Sequence, residues 1–406
     1  MNFLLMPKAI LTKNKALMAY RLRYLELDDY ADFVSLSFLR VIDDLGLDAL
    51  TGGVPLFVPI NTYSLLADIS EACTQPPSKI VFLLDGLIPP KEPYLSAIKE
   101  LRSLGFSFSI ENVPDLEAFE PIIQMCDYIM VDFATDNTRK LTLHASLSAK
   151  YKKHIFIATD VNSDELFNQL QKKGFSFFEG SFYTLPLPHN RGAMSPVKIN
   201  RVMLLNIVNQ PDFDINDVIE IVSRDPSMTL SLLKLVNSPY IGILQEIKSI
   251  PQAVALLGQV EVRKWVLTVI VSKLAEDKPS ELVRTSLFRA KFAEGLAKSF
   301  GIADLSSMLF LMGLFSILDA AMDLPMKQAL EKVKISGEIK RALIHRQGVL
   351  APVLDFVFAY EMANWHEVNE IIQHNNIEPE NVFSVFMDTT RWYGWLLKAV
   401  AYGNKI

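Results

Sequence analysis

Cysteine is nearly absent from this 406-residue chain, which holds only Cys73 and Cys126. So few argue against a disulfide framework, and their wide separation argues against a zinc or redox pair. Both are expected as buried thiols in helix-like segments of a protein from a reducing compartment. Long apolar runs are missing too: the most apolar stretch, Met308 to Leu318, is about 11 residues long, against the roughly 20 that span a bilayer. No charged start leading into a cleavage site marks a signal peptide, so the expected location is the cytoplasm, with no membrane partner. Positive charge is not in excess either. The formal net charge is -6 and no basic cluster interrupts the pattern, which leaves no electrostatic footprint for nucleic acid. Internal repeats and low-complexity tracts are absent. What is present is a globular composition, 50% apolar and 21% charged, on a chain long enough for two ordinary domains.

Short β-rich runs come first, at Leu17 to Leu25, Val54 to Ile60, Ile80 to Leu84, Phe106 to Ile110, Tyr128 to Phe133, His154 to Ala158 and Phe175 to Tyr183. Helix-like patterns of about 10 to 15 residues separate most of them, and such alternation predicts parallel strands with crossover helices, closed as a barrel. Phe3 to Leu11 and Leu17 to Leu25 flank the polar turn Thr12-Lys13-Asn14-Lys15, which predicts a hairpin and hence one antiparallel pair. From Leu185 to Val197 the chain turns rich in breakers (Pro186, Pro188, Asn190, Gly192, Pro196), which predicts a linker. Beyond it Ile215, Val218, Ile219 and Val222 recur at helical spacing, and Asp225-Pro226 predicts an N-cap followed by proline at the first helical position. The expected organisation is an α/β barrel over 1–187, a linker over 188–198 and an all-α domain over 199–406.

Two motif sets sharpen this. Asn237-Ser238-Pro239-Tyr240, followed by Ile247-Lys248-Ser249-Ile250-Pro251-Gln252-Ala253-Val254-Ala255-Leu256-Leu257-Gly258, resembles the signature of the HDOD domain, a helical signalling module. The first half resembles the EAL domain, a TIM-type (βα)8 barrel with an antiparallel N-terminal strand that hydrolyses cyclic di-GMP. That resemblance implies a two-metal centre, with acidic side chains and an asparagine at the C-terminal rim holding cations that activate water and stabilise phosphate charge.

Carried over position by position, the resemblance finds most of that chemistry replaced. The metal-binding glutamate of the first motif falls on Arg21 within Tyr20-Arg21-Leu22-Arg23-Tyr24-Leu25, and the arginine that contacts the nucleotide falls on Leu25. Asn61 matches the ligating asparagine. The glutamate of the next strand falls on Leu83, with Asp85 close by, and the Asp-Asp-Phe motif falls on Glu111-Asn112-Val113. Lys-x-Asp becomes Met130-Val131-Asp132, so the lysine beside the attacking water is lost and Asp132 is kept. Ala-Glu-x-Val-Glu falls on Ala158-Thr159-Asp160-Val161-Asn162, and the closing Gln-Gly on Glu179-Gly180. The rim is expected to be a self-neutralising cluster of Arg21 with Glu111, Asp132 and Glu179. Arg21 or Arg23 facing a phosphate is the route by which the nucleotide would still bind.

In the second half the HDOD resemblance implies a fold like that of HD phosphohydrolases without their metal ligands. Gly313-Leu314-Phe315-Ser316-Ile317-Leu318-Asp319 stands where such an enzyme reads Gly-Leu-Leu-His-Asp-Ile-Gly, which puts Ser316 and Ile317 at the ligand positions. Asp225, Asn237, Ser238, Gly258 and Asp319 carry the signature. His366, Glu370 and His374 recur at helical spacing, but Glu370 stands where a zinc helix has its second histidine, so an exposed polar face is expected. Trp365, Trp392, Tyr393 and Trp395 predict core or interdomain packing, and Arg263 and Lys264 predict exposed charges open to a partner. No catalytic residue, metal or cofactor is expected. The reading from sequence is a non-catalytic signal-transduction scaffold, not an enzyme, which binds signalling proteins through its HDOD half and has the barrel as a candidate homodimer surface. The alternatives are a cyclic di-GMP receptor without hydrolysis and an active cyclic di-GMP phosphodiesterase.

Overall fold

The computed structural model describes residues 3–27, 34–67, 69, 73–113, 115–187, 194–210, 214–224, 226–237 and 246–401. The chain divides into two compact units, 1–183 with 361–363 and 184–360 with 364–406.

The first unit is a closed barrel of eight strands: β1 (Phe3–Thr12), β2 (Leu17–Glu26), β3 (Leu56–Pro59), β4 (Ile80–Leu84), β5 (Ser107–Ile110), β6 (Tyr128–Asp132), β7 (Ile155–Thr159) and β8 (Phe177–Glu179). β1 runs antiparallel to both β2 and β8, and the other pairs are parallel. The predicted hairpin forms because Lys15 takes a positive φ of 59° and Thr12 Oγ1 accepts from the Ala16 amide at 3.1 Å, which closes the turn locally. Strand alternation then sends Ile10, Ala19, Phe57, Val81, Leu83, Met130 and Ile157 into one buried cluster. The barrel interior is a packed core, so any site must lie at its ends.

β8 is shorter than the expected Phe175 to Tyr183. A Cβ on Gly180 would lie 2.0 Å from the Val161 carbonyl oxygen, so only glycine lets the chain pass here, and it turns into a short 3-10 helix at Phe182–Thr184. The cysteines also differ from expectation. Both are buried and free, but they sit in irregular segments outside the helices, where burial raises each thiol's pKa.

The second unit is helical. The Ile250–Leu274 helix begins with Ser249 capping Gln252 N and Pro251 in its first turn, and it kinks at Gly258, whose φ of 77° and ψ of 163° are not helical. The Ser280–Leu296 and Ser306–Phe315 helices cross closely at Gly313, where a Cβ would stand 2.4 Å from Ala290 N. The apolar stretch Met308 to Leu318 is therefore core: Leu309, Phe310, Met312, Leu314, Phe315, Ile317 and Leu318 are all buried. Among the described residues no helix is long and apolar enough to cross a membrane.

Candidate functional site

The C-terminal ends of the barrel strands gather the charged groups. On β2, two-residue alternation places Arg21, Arg23 and Leu25 on one face. Arg21 is 3% exposed; its Nη2 donates to Glu111 Oε2 at 2.5 Å, and Nη1 lies 3.5 Å from Glu179 Oε2. Arg23 reaches Asp160 at 3.2 Å and Glu179 at 3.3 Å. Burial works against the Arg23 cation, but Glu179, Asp160 and Glu111 outweigh it and raise its pKa. Burial is the largest influence on Glu111 and lifts its pKa despite the opposing pull of Arg21 and Arg23.

Of the expected cluster, Glu111 and Glu179 meet Arg21. Asp132, at the end of β6, instead accepts the Ala134 amide at 2.7 Å, and Asn61, which follows β3, caps the Thr62–Leu65 helix by accepting Ser64 N at 2.9 Å. Leu83 and Met130 are buried in the barrel core, while Leu25 is half-buried toward the end of β2. Asn112 sits exposed at a φ of 51°, a left-handed conformation that asparagine tolerates.

Motif matching did not foresee the Arg23–Asp160 pair or two buried hydroxyls. Ser109 on β5 is in register with Leu83, and Thr159 on β7 with Asp132, so both share the faces of positions that the EAL resemblance singled out. Ser109 Oγ, Thr159 Oγ1 and Arg21 Nε find no hydrogen-bond partner among the described residues. The signal available in sequence was the i, i+2 spacing of Arg21 and Arg23, which strand register turns into a shared face.

The donors that two-metal chemistry would draw on are engaged otherwise: Asn61 and Asp132 with backbone amides, Glu111 and Glu179 with Arg21. Among the described residues no three acidic, histidine or cysteine side chains converge as a metal site. The residues in this arrangement do not fit a two-metal centre.

In the helical unit, Ser316 Oγ donates to the Gly313 carbonyl at 2.7 Å and accepts from Arg289 Nη1 at 3.1 Å. The Arg289 guanidinium lies 4.3 Å from the centre of the Phe358 ring. Asp319 opens the short Leu318–Met322 helix, accepts the Ala320 amide at 2.8 Å, and is pushed by burial up to about 6. Asn237 bonds to the backbone of Ile247: it donates to the Ile247 carbonyl at 2.7 Å and accepts the Ile247 amide at 2.6 Å. Asp225 and Ser238 lie outside the described residues. His366 and Glu370 form an exposed 3.7 Å pair on the Trp365–His374 helix. Arg263 and Lys264 are not exposed as expected. Beyond the Gly258 kink this face of the helix turns inward, so Lys264 is 8% exposed between Glu261 and Glu294, and half-buried Arg263 donates to the Asn209 carbonyl at 2.7 Å.

The chain is 28% identical over 322 residues to the cyclic di-GMP phosphodiesterase CdgJ of Vibrio cholerae serotype O1 (strain ATCC 39315 / El Tor Inaba N16961), covering 79% of this chain and 74% of that protein. It is 25% identical over 410 residues to the uncharacterized protein YuxH of Bacillus subtilis (strain 168), covering 96% and 98%. Among solved structures, the EAL domain of Mycobacterium smegmatis DcpA superposes with a TM-score of 0.37 at 11% identity, over 44% of this chain and 90% of that one. An EAL domain protein from Listeria monocytogenes EGD-e gives 0.34 at 14%, over 46% and 89%.

The relative that bears a phosphodiesterase name overturns the expectation that this chain is not an enzyme. That expectation weighed the positions that had changed, whereas the mouth still brings carboxylates from several strands around Arg21 and Arg23. The family model of the HDOD domain matches residues 195–334, so the helical half of the chain contains an HDOD domain, following in sequence a closed eight-stranded barrel.

Proposed function

We propose that this chain is a signal-transduction protein of cyclic di-GMP signalling that works through direct protein contacts made by its HDOD half. One observation carries the reading: the similarity to the Vibrio phosphodiesterase runs over 322 residues, longer than either unit, so it extends into both units of the chain. The surface assigned to the partner is apolar. Leu256 and Val260 flank the Gly258 kink at 46% and 56% exposed, the kind of side chain that docks into or against a helix. In this reading the barrel spans 1–187 and a linker spans 188–198, with the interacting domain over 199–406 and the barrel also offering a surface to a second copy.

A second reading has a specific observation behind it. Arg21 Nε and the Ser109 and Thr159 hydroxyls are buried without a hydrogen-bond partner among the described residues, and such donors suit phosphate oxygens. The barrel would then take cyclic di-GMP as its relative's name describes. One experiment separates the two: full-length chain and a Leu256→Asp/Val260→Asp variant are used to capture proteins from the native cell and are incubated with cyclic di-GMP and magnesium or manganese. Capture that the double variant loses supports the contact reading. Linear dinucleotide that appears with wild type and vanishes with Asn61→Ala, with capture unchanged by the double variant, replaces it with the second.

A further inference from the structure

The helical unit holds a cavity of about 530 Å³ between the Ile250–Leu274, Ser280–Leu296, Ser306–Phe315 and Pro379–Ala401 helices. Its size falls within the roughly 300–1,000 Å³ of small-molecule sites. Trp265, Phe310, Trp392 and Trp395 line it, so three of the chain's four tryptophans meet at one place. The expectation that Trp392 and Trp395 serve packing accounts for their burial but not for the space they border.

The polar side of the cavity is electrically balanced. Lys264 lies between Glu261, at 2.9 Å, and Glu294, and Lys291 holds the other Glu294 oxygen at 2.7 Å. These lysines also sit against the rings, Lys264 Nζ 5.4 Å from the Phe310 centroid and Lys291 Nζ 5.9 Å from that of Trp392. A cationic ligand would have to compete with cations already in place, and a polyanion would meet two carboxylates. What suits the site is an uncharged flat ring with donors and acceptors side by side on its edge. The Lys291–Glu294 pair presents a donor next to an acceptor, which is the complement of a purine's pairing edge, and the indoles supply faces for stacking. Ser306 and Ser307 line the same cavity and add hydroxyls that donate or accept.

We infer that this cavity binds the purine base of a nucleoside or nucleotide, with the base stacked on indole and its edge read by Lys291 and Glu294. The inference rests on the helical unit alone and stands whether or not the barrel acts on a nucleotide. The test is titration of the full-length chain with guanosine 5'-monophosphate, adenosine 5'-monophosphate and ribose 5-phosphate, followed by calorimetry and tryptophan fluorescence. Saturable binding of at least one purine nucleotide is expected, with quenched emission and no response to ribose 5-phosphate. Trp392→Leu is expected to weaken binding at least about tenfold, the order seen when a stacked aromatic is removed. If circular dichroism shows that this variant does not fold, Lys291→Met on the partly exposed rim decides the matter, with a smaller loss expected. The inference is overturned if neither nucleotide binds, if ribose 5-phosphate binds equally well, if folded Trp392→Leu and Lys291→Met bind like wild type, or if binding disappears in Asn61→Ala at the barrel mouth.

Discussion

Replacing Arg21 by methionine tests whether the ion cluster holds the barrel mouth together. The side chain is 4% exposed and lies 2.5 Å from Glu111 and 3.5 Å from Glu179. Removing one partner of a buried pair typically costs about 3–5 kcal/mol, because the other charge is left in low dielectric. Glu179 keeps Arg23 at 3.3 Å, so its share of the loss is reduced and the strain falls mainly on Glu111. A net loss of about 3 kcal/mol follows, which for a unit of this size lowers the melting temperature by roughly 6–12 °C. The loss also depends on pH. Glu111 already has a folded-state pKa raised by burial, so its contribution is present below the ordinary carboxylate range and is lost as pH rises through the folded value. Removing the opposing Arg21 charge raises that pKa further, so Arg21→Met should lose more stability at pH 8 than at pH 5. Thermal unfolding followed by circular dichroism at both pH values measures this, and the double variant Arg21→Met/Glu111→Gln should recover most of the loss. A single variant that melts within about 1 °C of wild type at pH 8 would refute the argument.

Three further outcomes follow from buried or strained groups. His144 stacks 4.0 Å from the Phe175 ring, its Nε2 lacks a partner among the described residues, and burial lowers its pKa, so the barrel should lose stability as pH falls below about 6.5. His144→Phe should flatten that acid limb and add about 1 kcal/mol in denaturant melts; an unchanged limb would count against it. Asp319 has a folded pKa of about 6, raised above its unfolded value, so its contribution is full below about 3.9 and lost as pH rises through about 6. Asp319→Asn should therefore stabilise the helical unit by on the order of 2 kcal/mol at pH 7.5 and hardly at all at pH 4, and equal gains at both would contradict it. Gly258→Ala meets no atom of the described residues within 4 Å, so its cost, about 1–3 kcal/mol, arises from backbone strain; calorimetry showing no loss would mean the kink is not required.

Much of the fold was legible in sequence because its signals are local. The Thr12 to Lys15 turn and the alternation of short apolar runs with helical stretches are each decided by neighbours a few residues away, and β1 through β7 fall close to their expected places. β8 did not, because its end is set by the close approach of Gly180 to Val161 on the neighbouring segment after β7. The charged site was half legible. Arg21, Glu111 and Glu179 were placed together, but Asp160 joins Arg23 only once the closed barrel sets which rim residues face each other. Arg263 and Lys264 looked like solvated charges because nothing in Gln259-Val260-Glu261-Val262-Arg263-Lys264 reveals that a kinked helix turns them inward. Trp265 is distant in sequence from Trp392 and Trp395, so the cavity they share exists only in the folded unit.

The two units share one piece of physical chemistry at the places where their resemblances put metal ligands. In the barrel, the guanidinium of Arg21 stands where the resemblance puts a carboxylate and lies within ion-pair distance of Glu111 and Glu179, which supplies from a side chain the positive charge that neighbouring acids would otherwise need. In the helical unit, Ser316 stands at a ligand position and accepts from buried Arg289, whose charge spreads over the Phe358 ring. Arginine suits both places because its planar, weakly hydrated cation tolerates burial better than an ammonium does and its several donors fix neighbouring oxygens in direction. An arginine so placed is tethered, however, and cannot be exchanged for an ion without first being displaced from its carboxylates. Any ligand chemistry at the barrel mouth must therefore either use the Arg21 and Arg23 donors where they stand or break the Glu111 and Glu179 pairs to gain access, and the second route carries the several kcal/mol that separating a buried pair costs.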